Sequence, residues 1–299
     1  MLKLAQAILE AIAQKNASAL ATVIDSTSGL PARPGDKVLF LSAGETLGSL
    51  GWQPLDEALA EKVAMAIEER SPRAVTLTFS ERDARQAGLE MGGSVEVFIE
   101  VFLPRPTLLI VGAGHIAVPL AKMGKLLDFE VIVLDDRASF ANRDRFPEAD
   151  QVIAAGFEAT LRSLTITANT FIVLITRGHQ HDVESLQEVI DSPAAYIGMI
   201  GSRRRVWAVF KLLFEGGMPA EKLSRIYAPI GLDIGAQTPA EIATSIISEV
   251  VKVYRGGGIE SISDRMRPRY LRLLEQGQDL ESVEQETGRV RSGFSEERL

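Results

Sequence analysis

Cysteine is absent from this chain, which excludes disulfides, thiolate metal sites and a catalytic thiol. Imidazole is nearly absent too, supplied only by His115, His179 and His181. Basic residues are outnumbered, 32 Lys and Arg against 40 Asp and Glu. The resulting formal charge of -8 argues against a broad nucleic-acid surface, although the cluster Arg203-Arg204-Arg205 can still meet a small anion. No apolar run approaches the ~18 residues of a membrane span. Met1 to Gln14 follows an amphipathic helical pattern rather than that of a cleaved leader. The expectation is a cytoplasmic protein whose ligand is a small molecule, with neither nucleic acid nor membrane as partner. What is present is ordinary for a globular protein: 46% apolar and 24% charged residues over 299 positions, enough for about two domains with cores.

The pattern changes once along the chain. Up to residue 103, a helical stretch around Leu4, Ile8 and Ile12 precedes short strand-like runs at Ala21–Ile24, Lys37–Leu41 and Val75–Thr78, with a helix at about Leu55–Glu69. Ser94–Glu100 alternates strictly, so one face is expected buried and the other wet. These features predict a small amino-terminal α+β domain over 1–103. Pro104-Arg105-Pro106 then imposes an extended, donor-poor connection. Over 104–256 the order becomes strand, helix, strand, which predicts an α/β, Rossmann-like doubly wound parallel sheet covered on both faces. Its last helix opens on Thr238-Pro239-Ala240-Glu241, a capping box with proline at the first helical position, and stops at Gly256-Gly257-Gly258. Residues 257–299 are charged and apolar-poor, and read as a surface helix or mobile tail.

The densest chemical signal is Gly112-Ala113-Gly114-His115, directly after the apolar run Leu108–Val111 and directly before a helical stretch. A strand ending in Gly-x-Gly-x-x-Ala turns sharply, brings bare amides against a phosphate and aims the positive end of the next helix at the same spot. Gly112 supplies the turn, Gly114 the close approach and Ala117 the small residue where strand meets helix. Asp135 ends the next apolar run, about 20 residues on, where an acid can take a ribose hydroxyl. A nucleotide-like ligand follows, and an acid there favours a plain ribose over a ribose phosphate.

All three histidines fall at expected strand carboxyl ends. The first and fourth strands of a doubly wound sheet flank its switch point, so His115 and His179 are expected to face one crevice. The bland alternative is that they cap helices or pair with nearby carboxylates. His179-Gln180-His181-Asp182 also invites a metal, but alternate residues point apart and Asp182 suits a helix cap, so no metal ligand is assigned. Gly198-Met199-Ile200-Gly201-Ser202-Arg203 repeats the strand-turn-helix pattern. Its arginines oppose their own helix dipole, which suggests an anionic visitor, with Arg203 favoured over Arg204 and Arg205. Pro229–Gly235 is a further candidate wall of the crevice, and Asp135-Asp136-Arg137 can close the far side.

Val111–His115, Asp135–Arg137, Thr176-Arg177-Gly178-His179, Tyr196–Ser202 and Pro229–Gly235, in that order, resemble the XdhC/CoxI family over about Pro104 to Tyr254. The resemblance implies an accessory protein rather than an enzyme turning over a metabolite. Such a protein binds molybdenum cofactor, as molybdopterin or its dinucleotide form, and helps install it in a xanthine dehydrogenase-type molybdenum hydroxylase. It further implies a homodimer and a cofactor sulfurase as a second partner. The expected cofactor contacts are Gly112, Ala113, Gly114, His115, Asp135, Asp136, Arg137, Thr176, Arg177, Gly178, His179, Gly198, Gly201, Ser202, Arg203 and Asp233, with no catalytic residue. Family members usually carry a Cys-Gly-Gly where this chain has Met91-Gly92-Gly93. A thioether cannot become a thiolate, so Met91 offers no soft anionic ligand. Two alternatives use the same turn: an NAD-dependent oxidoreductase with His179 as proton carrier, and a nucleotide-binding regulatory protein.

Overall fold

The computed structural model describes residues 2–27, 29–41, 44–86 and 91–259. The expected tail lies outside the described residues from 260 onward. The first part of the chain forms β1 (Ser18–Ser26), β2 (Lys37–Phe40), β3 (Thr46–Gly48), β4 (Arg73–Phe79) and β5 (Gly93–Phe102), with α1 (Leu2–Ala13), α2 (Gln53–Glu68) and α3 (Glu81–Gln86). The strands pair antiparallel throughout in the order β3-β2-β1-β5-β4. β5 alternates as its sequence requires: Val95, Val97 and Ile99 are buried, whereas Glu96, Phe98 and Glu100 are exposed. α2 covers the apolar side. Its Leu55, Leu59, Val63 and Ala66 recur at one helical face and are buried against the sheet.

The second part comprises β6 (Thr107–Val111), β7 (Glu130–Asp135), β8 (Gln151–Ala154), β9 (Thr170–Leu174), β10 (Tyr196–Met199) and β11 (Ile226–Tyr227). Its helices are α4 (Ala117–Leu126), α5 (Phe157–Ser163), α6 (His179–Val189), α7 (Arg203–Glu215), α8 (Ala220–Leu223) and α9 (Pro239–Arg255). All strand pairs are parallel, in the order β8-β7-β6-β9-β10-β11. This is the doubly wound order, with the switch point between β6 and β9. Every residue of β6 is buried because both faces are covered. Leu108 and Ile110 pack with Leu120 of α4 and Ile246 and Val250 of α9, while Leu109 and Val111 pack with Leu186 of α6 and Val209 of α7. α9 starts on the expected capping box between Thr238 and Glu241 and ends on left-handed Gly256. Burial of Ile246, Ile247 and Val250 is worth roughly 1.5–3 kcal/mol each, which holds this helix, and the loop before it, to the sheet.

The two sheets meet at Leu103–Pro106. Lys15 Nζ donates to Glu130 Oε2 at 2.6 Å, and the Arg70 guanidinium lies 4.6 Å from the Tyr254 ring. Among the described residues no helix is long and apolar enough to cross a membrane.

Candidate functional site

Parallel strands with right-handed crossovers bring every carboxyl end to one edge, and there the structure holds a cleft of about 760 Å³. Its walls come from four loops: Gly114-His115-Ile116 after β6, Asp135–Phe140 after β7, Ile175-Thr176-Arg177 after β9 and Ile200-Gly201-Ser202 after β10. Arg205 from α7, and Gln237, Pro239 and Ile242 at the start of α9, complete it.

The glycine turn is built for close approach. Gly112 has φ +106°, and a Cβ on it would lie 2.5 Å from the Ile175 carbonyl oxygen, so only glycine fits where β6 crosses the β9 loop. At Gly114 a Cβ would meet nothing within 4 Å; its bare Cα faces open cleft. The amides of Gly112 and Ala113 are spent on Leu134 O and Asp135 Oδ2. Those of Gly114, His115 and Ile116 donate to no acceptor among the described residues. α4 adds no side-chain cap and no acid in its first turn, so its positive end is uncompensated at the same place. Arg145 fixes the turn from behind, donating Nη1 to Ala113 O at 2.6 Å and Nη2 to Gly114 O at 3.4 Å.

Three arginines reach this edge, each anchored by an aspartate. Arg137 donates Nε and Nη2 to Asp135 at 2.8 and 3.0 Å and lies over the Phe140 ring at 3.7 Å. Arg177 bridges two loops through Asp136 at 2.7 Å. Arg205 donates Nε to Asp182 Oδ2 at 2.8 Å and Nη2 to Thr176 O at 3.1 Å. Thr176 Oγ1 donates to the other Asp182 oxygen at 2.6 Å, and that carboxylate is completely buried. The anchors hold the guanidiniums in fixed poses, and Arg205 lines the cleft with no partner for its Nη1 among the described residues.

Asp135 is only 1% exposed. Its oxygens accept four N–H bonds from the chain itself: Ala113 N and Arg137 Nη2 on one, Arg137 N and Nε on the other. A carboxylate has about four acceptor positions, so a ribose hydroxyl meets a filled group. Burial acts to raise its pKa, but the bonds from Arg137 and Ala113 outweigh that and lower it from 3.8 to about 2.

The expected site residues divide cleanly. Gly114, His115, Asp135, Arg137, Thr176, Arg177, Gly201 and Ser202 line the cleft. Gly112 and Ala113 are buried behind them, and Asp136, itself exposed, holds Arg177. Gly198 is buried in β10, where a Cβ would strike Ile230 and the Tyr196 hydroxyl, so it makes room for the protein's own side chains. Gly178 precedes α6 outside the lining, and Asp233 is exposed in the loop before α9. That loop is itself tied down by a buried pair: Tyr196 Oη donates to Glu249 Oε2 at 2.6 Å, which also accepts from Gly231 N at 2.9 Å. Burial, then the bond to Glu249, pushes the Tyr196 phenol far above its usual range.

Three expectations are corrected. α6 begins at His179 rather than after Asp182, so both histidines are helical. His179 is exposed and does not line the cleft with His115. His181 turns to Phe157, ring to ring at 5.2 Å, and to Glu184 at 3.2 Å. Second, of the α7 arginines it is Arg205 and not Arg203 that lines the cleft, because residues two apart on a helix point to opposite sides and Asp182 captures the former. Asp182 does not cap α6 either; it faces inward from the first turn. Among the described residues, no three His, Cys, Asp or Glu side chains converge to hold a metal ion. Met91 is exposed at the start of β5.

Comparison with known proteins adds sequence kinship to this geometry. Residues 108–250 match the family model described as the XdhC Rossmann domain, and residues 11–80 match that of the XdhC and CoxI family. The chain is 33% identical over 236 residues to a protein of Escherichia coli (strain K12) named uncharacterized protein YqeB, covering 79% of this chain and 43% of that one. It is 35% identical over 159 residues to a probable xanthine dehydrogenase subunit of Bacillus subtilis (strain 168), covering 53% of this chain and 46% of that one. The chain thus spans less than half the length of either curated relative. Among solved structures, a Bacillus halodurans protein described as a xanthine dehydrogenase aligns with a TM-score of 0.48 at 22% identity, over 87% of this chain and 98% of that one.

Proposed function

Because this chain belongs to the XdhC/CoxI family, we propose that it is an accessory protein of a xanthine dehydrogenase-type molybdenum hydroxylase, binding molybdenum cofactor as cargo and handing it to that enzyme. The observation that carries the reading is the cleft floor: the amides of Gly114, His115 and Ile116, unused among the described residues, the bare end of α4, and the Arg205 guanidinium in the lining. Together they suit the phosphate of a pterin cofactor. The volume, about 760 Å³, lies within the ~300–1,000 Å³ of small-molecule sites. Ile116, Ile175, Ile200 and Ile242 give apolar walls for a flat ring. The residues fit the organic part of the cargo; with no thiolate and no convergent ligand set among the described residues, they leave the metal on its pterin.

The filled carboxylate of Asp135 weighs against NAD, whose ribose diol would need it. The chain's own part is binding and release, with Arg177, Arg205 and Ser202 holding the anionic end and the exposed His115 imidazole at the mouth. Native mass spectrometry of the protein mixed with molybdopterin tests this. A retained pterin mass, and restored activity when the loaded protein meets cofactor-free hydroxylase, are expected. Retention of NAD(H) and of no pterin form removes the reading.

A further inference from the structure

α7 begins at the cleft and runs away from it. Val206, Val209 and Leu213 point into the core, and Arg205 leaves one flank toward Asp182. The flank opposite Arg205 carries Arg203, Trp207 and Phe214, with Phe210 between them half-buried against the core, at i, i+4, i+11 and i+7, the spacing of a single helical face about 16 Å long. Trp207 is 70% exposed and Phe214 59%, large values for aromatic side chains with core positions available on the same helix. Arg203 and Arg204 stand in the first turn, opposed to the helix dipole, and among the described residues neither has a carboxylate in ion-pair reach. Lys211 flanks the stripe and takes Glu215 at 3.6 Å.

We propose that this face of α7 is the docking surface for the recipient hydroxylase, which presents there an apolar pocket rimmed by carboxylates. The inference rests on the handover reading above and says where the partner sits. Charge complementarity selects the occupant. A second copy placed on the stripe would bring together two faces that each carry Arg203, Arg204 and Lys211 against the single acid Glu215, and like charges would accumulate. An acidic partner meets two guanidiniums, unpaired among the described residues, on a chain whose overall charge is -8, while its pocket takes Trp207 and Phe214, the residue types that dominate interface energy together with arginine. Seated there, it lies beside the cleft mouth, because Ser202, which caps α7, is itself part of the cleft wall.

The test uses the full chain and Trp207→Ala, Phe214→Ala and Arg204→Glu. The two aromatics are largely exposed, and a glutamate in the first helical turn is favoured by the dipole, so all three should fold. Affinity for the cofactor-free hydroxylase of the same organism is expected to fall about tenfold or more in each alanine variant. Arg204→Glu should weaken binding and flatten its salt dependence. Molybdopterin retention should be unchanged in the two alanine variants. Parental hydroxylase affinity in both alanine variants overturns the docking face and leaves the cargo reading standing. If instead those variants only convert a dimeric parent to a monomer, the face belongs to a second copy and the proposal fails. A parent that binds neither pterin nor hydroxylase sinks the handover reading, and this inference with it.

Discussion

Replacing Asp135 by asparagine isolates what that carboxylate does. In the folded chain it accepts four N–H bonds, and its pKa falls from 3.8 to about 2. At about 1.36 kcal/mol for each pH unit, the ionised form adds about 2 kcal/mol of stability. The sign follows from the depressed folded value: the contribution is complete above pH 3.8 and is lost as pH falls toward 2. Asparagine removes the charge and turns one oxygen into an NH₂ group facing two donors, either Arg137 N and Nε or Ala113 N and Arg137 Nη2. Two donors, at least one of them on half-buried Arg137, lose their acceptor at about 1–3 kcal/mol each, partly relieved by relaxation and solvent. The net loss expected is about 3–5 kcal/mol, in the range for breaking a buried pair from one side. Urea titration at pH 7 reads the loss directly. The same titration between pH 4 and 2 should show the parent shedding about 2 kcal/mol more than the variant. Equal stability at pH 7, with parallel pH profiles, would refute the claim that this carboxylate serves the protein's own turn and not a ligand.

Two further substitutions probe the frame of the cleft. Gly112→Ala forces a residue at φ +106° against the Ile175 carbonyl and should cost about 3 kcal/mol or more, read as a lowered thermal midpoint; an unshifted melt would mean that the turn is free to move. Glu249→Gln keeps one acceptor for Tyr196 and Gly231 but loses the charge, so about 1–2 kcal/mol and faster amide exchange at Gly231 are expected. Unchanged exchange would show that the loop before α9 is held by something else.

Much of this was legible in the sequence because it depends on local period and turn chemistry. The β6-Gly112-Gly114-α4 unit, the buried β7 ending at Asp135, the α9 capping box and the alternation of β5 follow from residue order alone. Short elements such as β3, α3 and β11, with two to six residues each, carry too little pattern to be read. The site was legible by loop and not by side chain. Sequence spacing brings Thr176–His179 beside Gly112–His115 because β9 and β6 are neighbours, yet whether His179 faces the cleft depends on where α6 starts, a one-turn matter. Arg205 and Arg203 are alike in sequence; only the distant Asp182 tells them apart. Phe140 and Arg145 belong to no periodic element, and their roles exist only once the β7 loop folds over the glycine turn.

The most direct measurement compares parent and Gly114→Ala for molybdopterin affinity, with thermal melts recorded alongside. A Cβ at this position touches no protein atom within 4 Å, so the melt should not move, while the added methyl takes up cleft space next to the unused amides. Affinity reduced about tenfold or more at an unchanged midpoint is the expected result. Equal affinity in parent and variant would contradict the assignment of the cleft floor as the cargo's anion site.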